Sequence, residues 1–139
     1  MLFATVVISV APASAFTSTA TAQTIWGSFD GSRINYGAGP LTGSAHNTLR
    51  SIIEANDGDI GLPTASLTAE YLSGVDVFYT FLLSTSTGTL SGPEQTALQN
   101  WIADGGTLIV TADIFPLAAY ESFTAAYGVT CSLERPRVP

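Results

Sequence analysis

There is no lysine in this chain. All four basic residues are arginines, and two of them, Arg135 and Arg137, fall near the C-terminus. Eleven acidic residues oppose them, for a net charge of −7. A nucleic-acid surface needs clustered lysine and arginine to displace counterions from phosphates, so that partner class is excluded. One cysteine, Cys131, is present. Alone it makes no internal disulfide, zinc site or CxxC redox pair, and it reads as an ordinary or intermolecular thiol. Charged residues are 11% of the chain, well under the usual share of about a quarter. Serine, threonine and glycine supply the polar surface instead. No apolar run is long enough to span a bilayer, and there is neither an internal repeat nor a heptad pattern.

What is present begins with an apolar N-terminus. LFATVVISV is followed by APASA and TATA, small-residue stretches of the kind that signal peptidases cut. Residues 1–22 are expected to be a signal peptide cleaved after Ala15 or Ala22, although a basic n-region is missing. The other reading of the same residues is a buried strand. The 139 residues hold one domain, expected over 23–130, with an irregular tail at 131–139. The expected location is secreted or extracytoplasmic.

Within the domain the local signals are strong. TIWGSF alternates and predicts a first strand near 24–29. A glycine-rich loop follows, ending at Ser44 as an N-cap. Ala45, Leu49, Ile52 and Ile53 share a helical face. Asn56-Asp57-Gly58 stops that helix. A short strand near Ile60 and a helical turn at 67–72 come next. VDVFYTFLL, residues 75–83, is a continuous apolar run of the kind buried on both faces of a parallel sheet. Ser91 and Glu94 form a capping box with Pro93 in the first turn. Ala97, Leu98, Trp101 and Ile102 make an apolar stripe, Gly105-Gly106 a stop, and residues 107–111 another strand. Pro116 opens a last helix closed by Gly128. Strands and helices in alternation predict an α/β fold with a doubly wound, mostly parallel sheet. A sheet ending after its fourth strand leaves the last helix little to cover, so the chain is expected to be a fragment or to carry an out-of-frame tail.

Residues 67–128 carry the string LTAEYLSGVDVFYTFLLSTSTGTLSGPEQTALQNWIADGGTLIVTAD, then YESFTAAYGV. It resembles the flavodoxin-like domains related to class I glutamine amidotransferases, in their divergent extracellular branch. HNTLRSIIEAN is a weaker match to the first helix of that family. The resemblance implies a three-layer α/β/α fold. It also implies a nucleophilic cysteine on a strand–turn–helix elbow and a late histidine beside a glutamate. This chain has neither. Cys131 follows the last recognised helix, and His46 precedes every candidate nucleophile. Glutaminase activity is therefore not expected.

Ligands of open parallel sheets sit at the carboxyl ends of the strands. That edge collects Asp30, Gly31 and Arg33 from the first loop, and Ser84, Thr85 and Thr87 from the loop after residue 83. Asp113 follows the last strand, and His46 starts the first helix, where it reads most simply as an exposed first-turn residue. Asp30, Arg33, Thr85 and Thr87 are the candidate ligand-binding residues. A relay could be drawn from His46, Ser84 and Asp113, without a GxSxG elbow to support it. Asp30 and Asp113 could hold a divalent cation, or Asp113 could simply cap the helix after it. GAGPLTG, residues 37–43, could offer backbone N–H groups to an anion or be a plain loop. Trp26, Tyr36 and Tyr79 could line a sugar site, but read more naturally as packing. NDGDIG, residues 56–61, lacks the spacing of a calcium loop. No cofactor motif is present and none is expected. The expectation is a non-catalytic binding or scaffolding module whose partner is an unknown ligand or an extracellular protein. The alternative is a divergent hydrolase or metal-dependent enzyme using the same edge.

Overall fold

The computed structural model describes residues 4–9, 23–35, 37, 39–112 and 116–130. Nine elements follow in chain order: β1 (Ala4–Ser9), β2 (Thr24–Ser28), α1 (Asn47–Ala55), β3 (Gly58–Ile60), α2 (Ala69–Leu72), β4 (Val77–Phe81), α3 (Gly92–Ala103), β5 (Thr107–Ala112) and α4 (Leu117–Thr124). The strands form one sheet in the order β1-β5-β4-β2-β3. The pairs β2·β3, β2·β4 and β4·β5 are parallel, and β1 runs antiparallel along the outer edge of β5.

The sheet is covered on both faces, which makes the fold doubly wound α/β. Register sets Thr24 beside Gly58 and Trp26 beside Val77, so these residues share one face. There α1 approaches closely: a Cβ on Gly58 would lie 2.5 Å from the Ile53 side chain. Gly27 faces the other way, where a Cβ would meet the Tyr71 hydroxyl at 2.7 Å. That second face holds the main core. Phe78, Leu108 and Val110 from the sheet pack against Leu72, Leu98, Ile102, Tyr120 and Phe123 from α2, α3 and α4. Phe29 stands edge-on to Phe78 at 5.0 Å and to Phe123 at 6.0 Å. Burying each such ring contributes roughly 2–3 kcal/mol.

Local chemistry explains the boundaries. The capping box forms as the sequence predicts: Ser91 N–H and hydroxyl both donate to Glu94 Oε2 at 2.8 Å. Gly105 takes φ +108 to end α3, and Gly106 lets the Trp101 ring lie on the chain, where a Cβ would sit 2.2 Å from it. Trp101 is thus a packing residue, its indole N–H donating to Val75 O at 2.9 Å. Gly128 closes the last helical turn at φ +73. Leu98 and Ile102 of the apolar stripe are buried, with Ala97 and Trp101 packed beside them.

Within the N-terminal stretch, Ala4–Ser9 form a strand. Cleavage after Ala15 or Ala22 would remove β1, so a mature secreted chain would leave the edge of β5 bare.

Candidate functional site

The chain leaves β2, crosses one face by α1 to β3, then crosses the other by α2 to β4. These two crossovers diverge between β2 and β4, so the crevice beyond the carboxyl ends of that pair is the topological switch point. In this protein its own loop, a plug, lies across the described part of that crevice. The segment after β2 folds over the end of β4: Ile34 bridges Leu83, Asn35 N–H donates to Leu82 O at 2.7 Å, and Ser84 N–H donates to Arg33 O at 2.9 Å. Leu82 takes φ +48 to make this fit, a costly conformation for a leucine.

Arg33 anchors the plug. Its guanidinium donates to Glu94 Oε1 at 3.0 Å, to Ala65 O at 3.1 Å and to Thr89 O at 3.2 Å. It also stacks over the Phe29 ring at 4.7 Å. Glu94 is 5% exposed, so its charge needs partners. Ser66 hydroxyl and Leu67 N–H supply two more at 3.1 Å each. Burial pushes the Glu94 carboxyl up, but the bonds from Ser91 and Leu67 and the charge of Arg33 outweigh it and hold the group at about 2.

The other expected binding residues serve the same loop. Asp30 accepts the N–H of Ser32 at 2.9 Å as well as its hydroxyl, which closes a turn. The Thr87 hydroxyl donates to Ser32 O at 2.6 Å. Thr85 is exposed. Ser84 is buried, and its oxygen accepts from Ser86 N–H and Thr87 N–H at 3.3 Å each. Asp30, Arg33, Ser84 and Thr87 are therefore brought together, chiefly by bonds to each other's backbone. The Thr64 strip also joins them, through a bond from Asp30 N–H to Thr64 O at 2.8 Å.

His46 lies on the α1 face. It ends a 3-10 turn, Ser44–His46, just before α1. The exposed first-turn position that the sequence suggests is not what forms. His46 is 7% exposed, edge-on to Phe81 at 5.1 Å and Tyr79 at 5.8 Å. Its Nδ1 lies 3.1 Å from Pro40 O, so Nδ1 carries the proton in the neutral ring and Nε2 is the acceptor nitrogen. Burial lowers its pKa, the Pro40 bond opposes this, and the charge of Arg50 lowers it further. No hydrogen bond joins His46 to Ser84, since each is held by other partners. Asp113, Tyr36 and Cys131 lie outside the described residues, and with Asp113 go the relay and the Asp30–Asp113 metal pair. Among the described residues no group of three or more His, Cys, Asp or Glu could hold a metal ion.

The glycine-rich loop turns its carbonyls inward. Arg50 donates to Leu41 O at 3.3 Å and Gly43 O at 3.0 Å, which clasps the loop to α1. Beside the plugged crevice an open hollow of about 520 Å³ lies between α2 and α3, lined in part by Ser66, Thr68, Ser91, Pro93, Ala97 and Asn100.

The sequence missed two residues that organise this site. Glu94 was legible as a helix cap but not as the partner of an arginine 61 positions away. Tyr71 was read only as part of a turn, yet its hydroxyl donates to Leu62 O at 3.0 Å and meets Ser28 N–H at 3.3 Å. The scarcity of arginine in so acidic a chain was the one available signal that Arg33 would be buried. No helix among the described residues is long and apolar enough to cross a membrane. Comparison with protein-family models, curated proteins and solved structures finds no match to this chain.

Proposed function

We propose that this protein is a secreted, non-catalytic α/β binding or scaffolding module built on an amidotransferase-like fold. The observation that carries the reading is the plugged crevice. The place where such a sheet normally meets substrate is taken by Arg33, held by Glu94, Ala65 O and Thr89 O. The Ser84 oxygen accepts from its own loop, and among the described residues no histidine or carboxylate bonds to it. Catalysis there would need the plug to leave and a buried ion pair to break, a cost of about 3–5 kcal/mol. The partner is an unknown ligand or an extracellular protein.

The test is turnover by the purified full chain on esters, amides and glutamine. No rate above background is expected. A rate that disappears in Ser84→Ala or His46→Ala would overturn the proposal. Export is tested by sequencing the N-terminus of the protein recovered outside the cell, where a start at Phe16 or Gln23 is expected and a retained leader counts against secretion. One observation favours the alternative of a divergent hydrolase: the neutral His46 ring keeps Nε2 as an acceptor for a proton. That enzyme would use the carboxyl edge of the sheet, where His46 packs against Tyr79 and Phe81 near the end of β4.

A further inference from the structure

We infer that the outer edge of β5 is an interface for a second copy of this chain, occupied in the structure by β1. The inference deepens the binding reading by naming the partner, and it rests on it.

The edge is unusually bare of protection. Natural sheet edges carry charges, proline or bulges that discourage pairing. From Gly105 to Ala112 there is no charged residue and no proline, and the pairing with β1 runs in unbroken register. The device that blocks this edge is β1 itself, joined to the rest of the sheet by residues 10–23. Those residues contain both expected cleavage points. If the leader is cut, β1 is no longer covalently attached, and an uncharged strand edge is exposed.

The register shows what the edge accepts. Thr5 stands opposite Thr111, Val6 opposite Val110, Val7 opposite Ile109, Ile8 opposite Leu108 and Ser9 opposite Thr107. In this register hydroxyl residues stand opposite hydroxyl residues, and aliphatic residues opposite aliphatic ones. A second β5 laid antiparallel across a two-fold axis at Ile109 supplies the same classes in the same places. Thr107 then faces Thr111, Leu108 faces Val110, and Ile109 faces its own copy. Each residue keeps to its own face of the sheet, as register demands. Such an isologous contact closes as a dimer, the commonest symmetry of soluble assemblies. It would also extend the α1 face, where Val77, Tyr79, Phe81, Ile109 and Thr111 are only half-buried.

The experiment uses the full chain with a protease recognition sequence placed between residues 10 and 22, cut after folding. Mass is followed by light scattering, fragment retention by mass spectrometry and folding by circular dichroism. The expected result is that the β1 fragment leaves on dilution and the mass doubles. An excess of synthetic peptide spanning residues 1–9 should return it to one chain. Ile109→Lys in the cut chain, which sets two like charges opposite each other, should stay at one chain. The proposal is overturned if the fragment never leaves, if the chain unfolds when it does, if the mass stays single with the edge empty, or if Ile109→Lys doubles as well. Turnover found in the enzyme assay would sink the non-catalytic reading and leave the measured mass as it is, so the two failures can be told apart.

Discussion

Glu94 ties three segments together: the loop after β2 through Arg33, which also stacks on Phe29, the strip before α2 through Ser66 and Leu67, and the start of α3 through Ser91. Its folded pKa of about 2 lies below the ordinary value of 4.5. A depressed carboxyl stabilises the fold above its unfolded pKa and loses that contribution as pH falls through the folded value. The shift corresponds to roughly 3 kcal/mol, lost progressively below about pH 4.5. His46 adds to acid sensitivity in a higher window. Its folded pKa is lowered, so its contribution is whole above 6.5 and declines as pH falls below that. Chemical denaturation between pH 8 and 2 should show both declines. Glu94→Gln should remove the lower one, and a curve unchanged by that substitution would refute the assignment. Thr80 offers a gain instead. Its side chain is 1% exposed and its hydroxyl has no partner among the described residues. Thr80→Val keeps the shape and removes the orphan, and should raise the denaturation midpoint by about 1 kcal/mol of stability.

At the scale of elements, α3 is the best specified piece. Ser91, Glu94 and Pro93 fix its start, Gly105 and Gly106 its end, and Leu98 and Ile102 its buried face. Ser91→Ala removes the hydroxyl half of the capping box and should cost about 0.5–2 kcal/mol, read from the unfolding midpoint. All of this was legible, because helix caps and stops depend on residues within a few positions of each other. The same holds for β4, which narrows from the expected 75–83 to Val77–Phe81, and for β5, which runs one residue beyond expectation, from Thr107 to Ala112. The candidate site was legible as a place and not as a state. Asp30, Arg33, Ser84 and Thr87 do lie together, but Arg33 reached its burial only through residues 32 to 61 positions away. His46 likewise looked exposed because its cover, Tyr79 and Phe81, belongs to a strand distant in sequence.

For the whole molecule, stability should grade across the sheet. β4 is flanked on both sides, by β2 and β5, and carries the core ring of Phe78. β3 is a three-residue edge strand. Amide hydrogen exchange should therefore be slowest at Phe78–Thr80 and fastest at β1 and β3. Protection of β1 equal to that of β4 would mean that the N-terminal strand is a fixed part of the fold rather than a separable one.

The sequence by itself determined the α/β alternation, the ends of the helices and the lack of both an elbow cysteine and a late histidine, since each is written in local pattern or in residue order. Only the tertiary structure decided that the ligand-ready loop folds into its own crevice, and that the apolar N-terminus can serve as a strand. Both depend on what lies alongside. A buried arginine and an edge strand are defined by neighbours that chain order does not reveal, and a leader and a strand require the same run of apolar residues.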